Sequence, residues 1–220
     1  MPTRRKLAAH IVPMLVFVTL MAINTAAHKA ESRIPPEFWV YPAQTLLCAG
    51  FVMWFRREYE LERPRRLAFV ALVGVVVFMV WISPQVFFGA ARRSAGFNPN
   101  LLETPAIYWL ELTLRFARLV IVVPFVEEIF WRGFLLRFLI EDNFDRIRFG
   151  AFSWFSFTIV TLGFGLSHSA ADWIPALMAG AGYNAVAYRT KTLSSCIFAH
   201  GLTNLLLGVW IMQSKQWGFW

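Results

Sequence analysis

The chain alternates long apolar runs with short segments that carry prolines, arginines or other polar residues. A membrane-spanning helix needs about 20 mostly apolar residues, and several of these runs reach that length. We therefore expect an all-α protein, a multi-pass transmembrane helical bundle of about seven to eight spans, with residues 1–220 forming a single integral-membrane domain. The predicted helices cover residues 8–27, 38–55, 67–88, 105–140, 149–167, 173–188 and 193–212.

The fourth predicted helix, residues 105–140, is too long for one crossing. At about 1.5 Å a residue it exceeds the roughly 30 Å hydrocarbon core. Its first part carries Glu111, Arg115 and Arg118 on one helical face, at i, i+4 and i+7. This spacing favours an interfacial amphipathic segment that enters the membrane near Leu119, and a separate additional span is the alternative.

Composition supports a membrane protein, because 58% of the residues are hydrophobic and the mean hydropathy is +0.53. The net charge of +8 would suggest nucleic acid in a soluble protein. Here the arginines lie mainly between apolar runs, so we expect no nucleic-acid partner. Cys48 and Cys196 fall in different apolar runs and are expected to be buried, unpaired thiols.

The basic residues predict the orientation of the bundle, because cytoplasmic loops are enriched in lysine and arginine. With the N-terminus inside, the cytoplasmic segments hold Arg4, Arg5, Lys6, Arg56, Arg57, Arg63, Arg65, Arg66, Arg137, Arg146, Arg148, Arg189 and Lys191. The other side holds Lys29, Arg33, Arg92, Arg93 and Lys215. This bias predicts a cytoplasmic N-terminus.

The first apolar run could also be a cleaved signal peptide. Basic residues precede it, and the small residues Ala26 and Ala27 lie near its end. The run is long for a signal peptide, so we favour an uncleaved span.

Two adjacent glutamates and an arginine interrupt the apolar run "VPFVEEIFWRGF". A charge inside the bilayer costs several kcal/mol, so such groups usually face the protein interior and act as functional sites. Glu128 and Arg132 are four apart and meet on one helical face, which suggests a buried structural ion pair. Glu127 lies about 100° around the helix and remains available for chemistry.

Two residues flank these charges and predict local features of the helix. Pro124 lacks an amide hydrogen and leaves the carbonyl of Val120 without a helical partner, so we expect a kink or local opening. Gly133 leaves room for close approach by another helix.

Two further segments place histidines on apolar helices. "FGLSH" puts Phe164 and His168 four apart, and "HGLTN" does the same for His200 and Asn204. With Glu127, these side chains supply the parts of a hydrolytic site. A carboxylate takes a proton from water, imidazoles share or donate protons, and an amide stabilises an oxyanion.

Other interpretations of the same residues stay open. The glutamates could form a structural polar cluster, and a membrane histidine often only bonds a neighbouring helix. Two histidines and a glutamate also resemble a catalytic zinc set, and a transporter could use them to relay protons. No serine or cysteine is convincingly placed as a nucleophile, since Ser167 and Ser169 merely flank His168.

The three segments together carry a family resemblance. The glutamate pair and the arginine form the motif "EEIFWR" at residues 127–132. It is followed by "FGLSH" at residues 164–168 and "HGLTN" at residues 200–204. In order and spacing the chain resembles the CPBP family of intramembrane proteases, the CAAX prenyl endopeptidase type II and bacteriocin-processing group, also called Abi. The resemblance covers a core of residues 105–204. Trp131, where phenylalanine is common, is a mild departure.

The resemblance implies a glutamic intramembrane endopeptidase in a bacterial inner (plasma) membrane. Glu127 then resembles the base that activates water with the assistance of His168, while His200 and Asn204 resemble the oxyanion-stabilising pair. Glu128, Arg132 and Phe164 correspond to supporting positions. The resemblance implies no metal cofactor, with zinc as an open alternative, and the partners are membrane lipid and a peptide or protein substrate, lipidated or membrane-associated. A metal-dependent hydrolase and a non-catalytic adaptor or immunity protein are the alternative functions.

One later helix carries Ala176, Gly180 and Asn184 at four-residue spacing. Small residues at this interval let helices pack closely in lipid. We expect core packing here, with a polar lining role as the alternative for Asn184.

Overall fold

A computed structural model describes residues 2–30 and 35–220, so Arg33 of the orientation argument lies outside the described residues. Within those ranges the chain forms seven helices joined by turns and short 3-10 segments, without strands. They are α1 Arg4–Lys29, α2 Glu37–Trp54, α3 Leu67–Phe87, α4 at 105–138, α5 Trp154–Leu166, α6 Trp173–Thr190 and α7 Leu193–Ser214. The all-α prediction is confirmed for these residues.

Three of the helices, α1, α3 and α7, are long and apolar enough to cross a membrane by themselves, and α5 is a shorter apolar helix. The largest difference from the prediction is at α5, which begins at Trp154 rather than at residue 149. Gly150 has a φ of +72° and lies against the carbonyl of Ala187, so closely that no side chain would fit. This left-handed backbone delays the start of the helix.

Successive helices run in opposite directions, and polar contacts tie the connections together at each end of the bundle. At the N-terminal end, Lys6 pairs with both Glu60 and Asp145. At the opposite end, Arg93 forms a 2.7 Å ion pair with Asp172, and its carbonyl accepts a hydrogen bond from the amide of Gly218. The amide of Arg65 also donates to the hydroxyl of Ser195 at the start of α7, so the α2–α3, α4–α5 and α6–α7 connections lie at the N-terminal end.

Helix α4 is continuous but contains two π-helical segments, Arg118–Val122 and Ile129–Leu135. The first segment ends two residues before Pro124, where an opening of the helix was expected. In a π-helix each carbonyl bonds the amide five residues later, so the carbonyl that faces the missing amide of Pro124 is Leu119, not Val120. The side-chain amide of Asn204 on α7 donates to the Leu119 oxygen at 2.8 Å and replaces the lost bond.

The charged face at the start of α4 is turned inward, against the expectation that it lies at the membrane surface. Glu111, Arg115 and Arg118 are all buried, while Trp109 and Leu110 on the other side are exposed. Aromatic rings explain the inversion, because the guanidinium of Arg115 lies 3.5 Å from the ring centroid of Phe97. Contact with an aromatic face stabilises a cation that has lost its water.

Helices α3 and α7 approach each other closely at Gly74. A Cβ atom at this position would lie 2.9 Å from the carbonyl oxygen of Ala199. The hydroxyl of Thr203 donates to the Gly74 carbonyl at 2.9 Å. Close backbone approach and this hydrogen bond together fix the position of α7, which carries His200 and Asn204.

We expect Gly74→Ala to lower the free energy of unfolding by about 1–3 kcal/mol, because the added methyl group forces α3 and α7 apart. Gly50→Ala is the matched control, since its Cβ would enter open space, and it should be neutral or stabilise α2 by up to about 1 kcal/mol. Thermal unfolding in detergent measures both variants. Equal melting temperatures for the two would contradict the close approach.

Candidate active site

A cavity of about 430 Å³ lies inside the bundle and reaches the end of the bundle that lies opposite the N-terminal end. Its lining includes four residues singled out in the sequence, Glu127, His168, His200 and Asn204. They come from α4, from the turn after α5 and from α7. Phe164 also lines the cavity, whereas Glu128 and Arg132 lie behind its wall, with fully buried side chains.

Glu127 faces this cavity from the α-helical segment between the two π segments of α4. It is 8% exposed, and its Oε2 atom is sealed from solvent without a hydrogen-bond partner among the described residues. Among the described residues, no cationic side chain lies within ion-pair distance of Glu127. A buried carboxylate without a partner is costly, so this group is free to bind water or substrate.

Glu128 points to the other side and bridges two helices. Its Oε1 atom accepts a 3.0 Å hydrogen bond from Arg132 on the same helix and a 2.9 Å hydrogen bond from the Nδ1 atom of His200 on α7. The pair with Arg132 is the one that the spacing predicted. The contact with His200 gives Glu128 a second task, because it orients a histidine that faces the cavity.

Arg132 is held on three sides inside the protein. Besides the bond to Glu128, its Nε atom donates to Asn184 at 3.1 Å and its Nη2 atom to the carbonyl of Gly180 at 2.9 Å. The guanidinium also lies 4.7 Å from the ring centroid of Phe164. These contacts satisfy the buried charge and join α4 to α6, which carries both Gly180 and Asn184.

Close packing of the small residues on α6 makes this arrangement possible. A Cβ atom at Gly180 would lie 3.3 Å from the carbonyl of Thr161 on α5, and Ala176 is fully buried. Asn184 combines packing with a polar role, since its amide nitrogen donates to the hydroxyl of Thr161 at 3.1 Å. Asn184 therefore has a polar role, but it binds Arg132 and α5 and does not line the cavity.

His168 lies just beyond the end of α5, and its ring orientation follows from one hydrogen bond. Its Nδ1 atom is 2.8 Å from the carbonyl oxygen of Phe164. A carbonyl oxygen only accepts, so Nδ1 carries the proton and Nε2 holds a lone pair in the neutral ring. The rings of Trp81 and Phe164 lie 5.4 Å and 5.0 Å from it. His168 therefore presents a proton acceptor beside aromatic walls.

His200 and Asn204 share one face of α7 and are both oriented by neighbours. The imidazole of His200 stacks on the ring of Tyr183, with centroids 4.8 Å apart, while Nδ1 donates to Glu128. The amide nitrogen of Asn204 has two hydrogens, and one is used by the Leu119 carbonyl. The second hydrogen remains for a group inside the cavity.

The possible covalent nucleophiles are poorly placed. The thiol of Cys196 is fully buried, does not line the cavity, and contacts the carbonyl of Tyr183. Ser167 donates to the carbonyl of Phe164 at 2.8 Å, and Ser169 donates to Asp172. The Oγ of Ser167 is 3.4 Å from Nδ1 of His168, but that nitrogen already donates its proton.

The two histidines and the glutamates that could form a zinc set do not converge on one point. In residues 2–30 and 35–220, no three His, Cys, Asp or Glu side chains are gathered closely enough to hold a metal ion. The carboxylate of Glu128, which lies nearest His200, is occupied by Arg132 and by the imidazole itself.

Sequence reasoning missed three contributors to the site. Tyr183 stacks on His200, Arg118 lines the cavity, and Gln44 on α2 bonds Arg118 from behind. A buried arginine within an apolar run was the signal for Arg118. Gln44 stands in another apolar run, where an amide also requires a partner. Nothing in the spacing along α6 identified Tyr183.

Comparison with known proteins finds one similar family. No curated protein and no solved structure matches the chain. Residues 109–206 match the family model described as Rce1-like, type II CAAX prenyl endopeptidase Rce1-like. The match contains the three motifs, so the resemblance to the CPBP proteases is confirmed. Residues 109–206 are therefore similar to a family of CAAX protease-related proteases, and the apolar helices of the chain indicate an integral membrane protein.

Proposed function

We propose that this protein is an intramembrane endopeptidase that hydrolyses peptide bonds through a water molecule activated by Glu127. The observation that carries the proposal is the shared cavity of Glu127, His168, His200 and Asn204, in a segment of the chain that is similar to a protease family. The substrate class is a peptide or protein associated with the membrane, with or without a lipid group.

The first chemical step uses Glu127 and His168. Glu127 takes a proton from a water molecule in the cavity, and the lone pair on Nε2 of His168 accepts a hydrogen bond from the same water. The oxygen of this water attacks the peptide carbonyl carbon. Glu127 then gives its proton to the leaving amine, so that the carboxylate is restored as the peptide bond breaks.

The second pair stabilises the charge that develops on the carbonyl oxygen. Asn204 donates through its remaining amide hydrogen, and His200 donates through Nε2 when its ring carries both protons. Glu128 supports His200 from the other side of the ring. Donors that are already oriented before the reaction cost little reorganisation in the transition state.

The proposal also places the protein in a bacterial inner membrane with a cytoplasmic N-terminus and seven or eight spans. The basic residues support this orientation, because the connections that carry most of them meet at the N-terminal end of the bundle. The cavity reaches Arg93, Ser169 and Asp172, which lie at the opposite end. Substrate would then enter from the non-cytoplasmic side.

The direct test is peptide cleavage by purified protein in lipid vesicles. A defined peptide mixture is incubated in water enriched in oxygen-18, and products are identified by mass spectrometry. We expect new carboxyl termini that carry the heavy oxygen. Absence of any cleavage by the wild-type protein would contradict the proposal, and one zinc per chain in elemental analysis of the same preparation would contradict a metal-free site.

Replacement of Asn204 by alanine should reduce kcat about 10²–10³-fold, the range for loss of one oxyanion donor. Stability should also fall, because the Leu119 carbonyl loses its donor. Asn204→Ala and Asn184→Ala form a matched pair, since Asn184 is a buried asparagine that does not line the cavity. If both variants lose activity only in proportion to their loss of folded protein, Asn204 has no role in the reaction.

A further inference from the structure

Arg118 is a buried cation in the wall of the cavity that contains Glu127. Its Nε atom donates to the side-chain oxygen of Gln44, and its guanidinium lies 4.3 Å from the ring centroid of Tyr41. Among the described residues no carboxylate lies within ion-pair distance of it. Its direct contacts are therefore with neutral groups, and the carboxylate of Glu127 attracts it only from beyond ion-pair distance, which is unusual for a buried arginine.

Gln44 is itself held in place, so that its side-chain oxygen is oriented toward Arg118. Gln44 is fully buried, and its amide nitrogen donates to the carbonyl of Phe17 at 2.9 Å. That bond fixes the amide so that its oxygen faces Arg118. The guanidinium has five N–H donors. One is used by Gln44 and one, on Nη2, by the sulfur of Met21 at 3.5 Å, so others remain for a ligand in the cavity.

The π segment at residues 118–122 is what turns Arg118 toward this cavity. Glu127 follows Arg118 by nine positions, about two and a half α-helical turns, which would place the two on opposite sides of a regular helix. A π turn contains about one residue more than an α turn, so it rotates Arg118 by about 100° toward the side of Glu127. Both residues consequently line the cavity.

The other charges of the cavity lining form no direct ion pair with Arg118 among the described residues. Asp172 is neutralised by Arg93 at 2.7 Å, and Glu127 is beyond ion-pair distance. A planar guanidinium with free donors binds carboxylates with two parallel hydrogen bonds.

We propose that Arg118 binds a carboxylate group of the substrate, and so selects peptides that carry one on a particular side of the bond to be cleaved. This inference rests on the proposed peptidase function. Along α4 the two residues are separated by about 13 Å, which corresponds to about four residues of extended peptide. The carboxylate is therefore a C-terminal carboxylate or an aspartate or glutamate side chain within about four residues of the cleaved bond.

The test measures binding rather than cleavage, in the Glu127→Gln protein in detergent, so that it is independent of catalysis. The probe is a fluorescein-labelled octapeptide of alanine and leucine in three forms. One has a free C-terminal carboxylate, one a C-terminal amide, and one a C-terminal amide with a single aspartate near that end. Fluorescence anisotropy gives the three dissociation constants.

We expect the carboxylate form to bind at least about tenfold more tightly than the amide form, as is typical of a charge-assisted contact. Arg118→Gln should abolish this preference, and Arg118→Lys should keep part of it. Arg115→Gln is the control, because Arg115 is a buried arginine on the same helix that does not line the cavity. The aspartate form identifies the source, since it binds like the carboxylate form only if a side-chain carboxylate is accepted.

Equal affinity of the carboxylate and amide forms for protein with Arg118 intact would overturn the inference, and this comparison needs no further variant. A preference that survives Arg118→Gln would overturn it as well. Equal weakening of both forms by that substitution would show that Arg118 only maintains the shape of the cavity. Failure of the wild-type protein to cleave peptides would instead count against the proposed function alone.

Discussion

Replacement of Arg132 by methionine is expected to lower the free energy of unfolding by about 3–5 kcal/mol. The substitution leaves Glu128 as an uncompensated charge in a fully buried position, and removal of one partner from a buried ion pair typically costs this much. It also removes the donors to Asn184 and to the Gly180 carbonyl. Thermal or denaturant unfolding in detergent micelles measures the effect.

The control for this prediction is Arg189→Met, an exposed arginine near the end of α6, which should change stability by no more than about 0.5 kcal/mol. A double variant, Glu128→Gln with Arg132→Met, should cost less than the sum of the two single changes, because no unpaired charge remains. If Arg132→Met and Arg189→Met have the same free energy of unfolding, the buried pair does not stabilise the bundle.

Replacement of Glu127 by glutamine is expected to reduce kcat about 10²–10⁴-fold, the usual contribution of a general base. The amide has nearly the shape of the carboxylate but does not accept a proton. Because Glu127 has no ion-pair partner among the described residues, we expect unfolding to change by about 1 kcal/mol or less. Cleavage rates of purified protein, together with melting temperatures, measure both quantities.

Glu111→Gln provides the matched comparison. Glu111 is also a buried glutamate on α4, but it does not line the cavity, so this variant should cleave at close to the wild-type rate. If the two substitutions reduce cleavage equally, the loss reflects a general disturbance of α4 and not the removal of a base.

Contacts within one helix were predictable from spacing. Apolar runs located all seven helices, because a span must be long and apolar to lie in lipid. The pairing of Glu128 with Arg132 followed from their four-residue separation. The different direction of Glu127 followed from the 100° step between neighbouring helical residues.

Contacts between helices were not predictable in the same way. The bond between Glu128 and His200 joins residues 72 positions apart, and it depends on the position of α7 against α4, which no spacing specifies. Only one part of the first π segment was predictable from the sequence. Pro124 indicated an opening, but the replacement donor, Asn204, comes from another helix.

The buried direction of Arg118 depends on the same opening. In a regular helix Arg118 would share its face only with Glu111 and Arg115. That charged face favoured a position of the segment at the membrane surface. Aromatic partners on α2 and in the α3–α4 connection, Tyr41 and Phe97, make burial of these arginines possible. Their proximity is a property of the folded bundle.

The most direct measurement compares peptides released from membranes that contain the wild-type protein with those from membranes that contain Glu127→Gln, at equal amounts of folded protein. Mass spectrometry of both samples identifies each new terminus. We predict a set of peptides that is present with the wild-type protein and missing with the variant. Identical peptide sets from the two membranes would contradict the assignment of Glu127 as the base of an intramembrane peptidase.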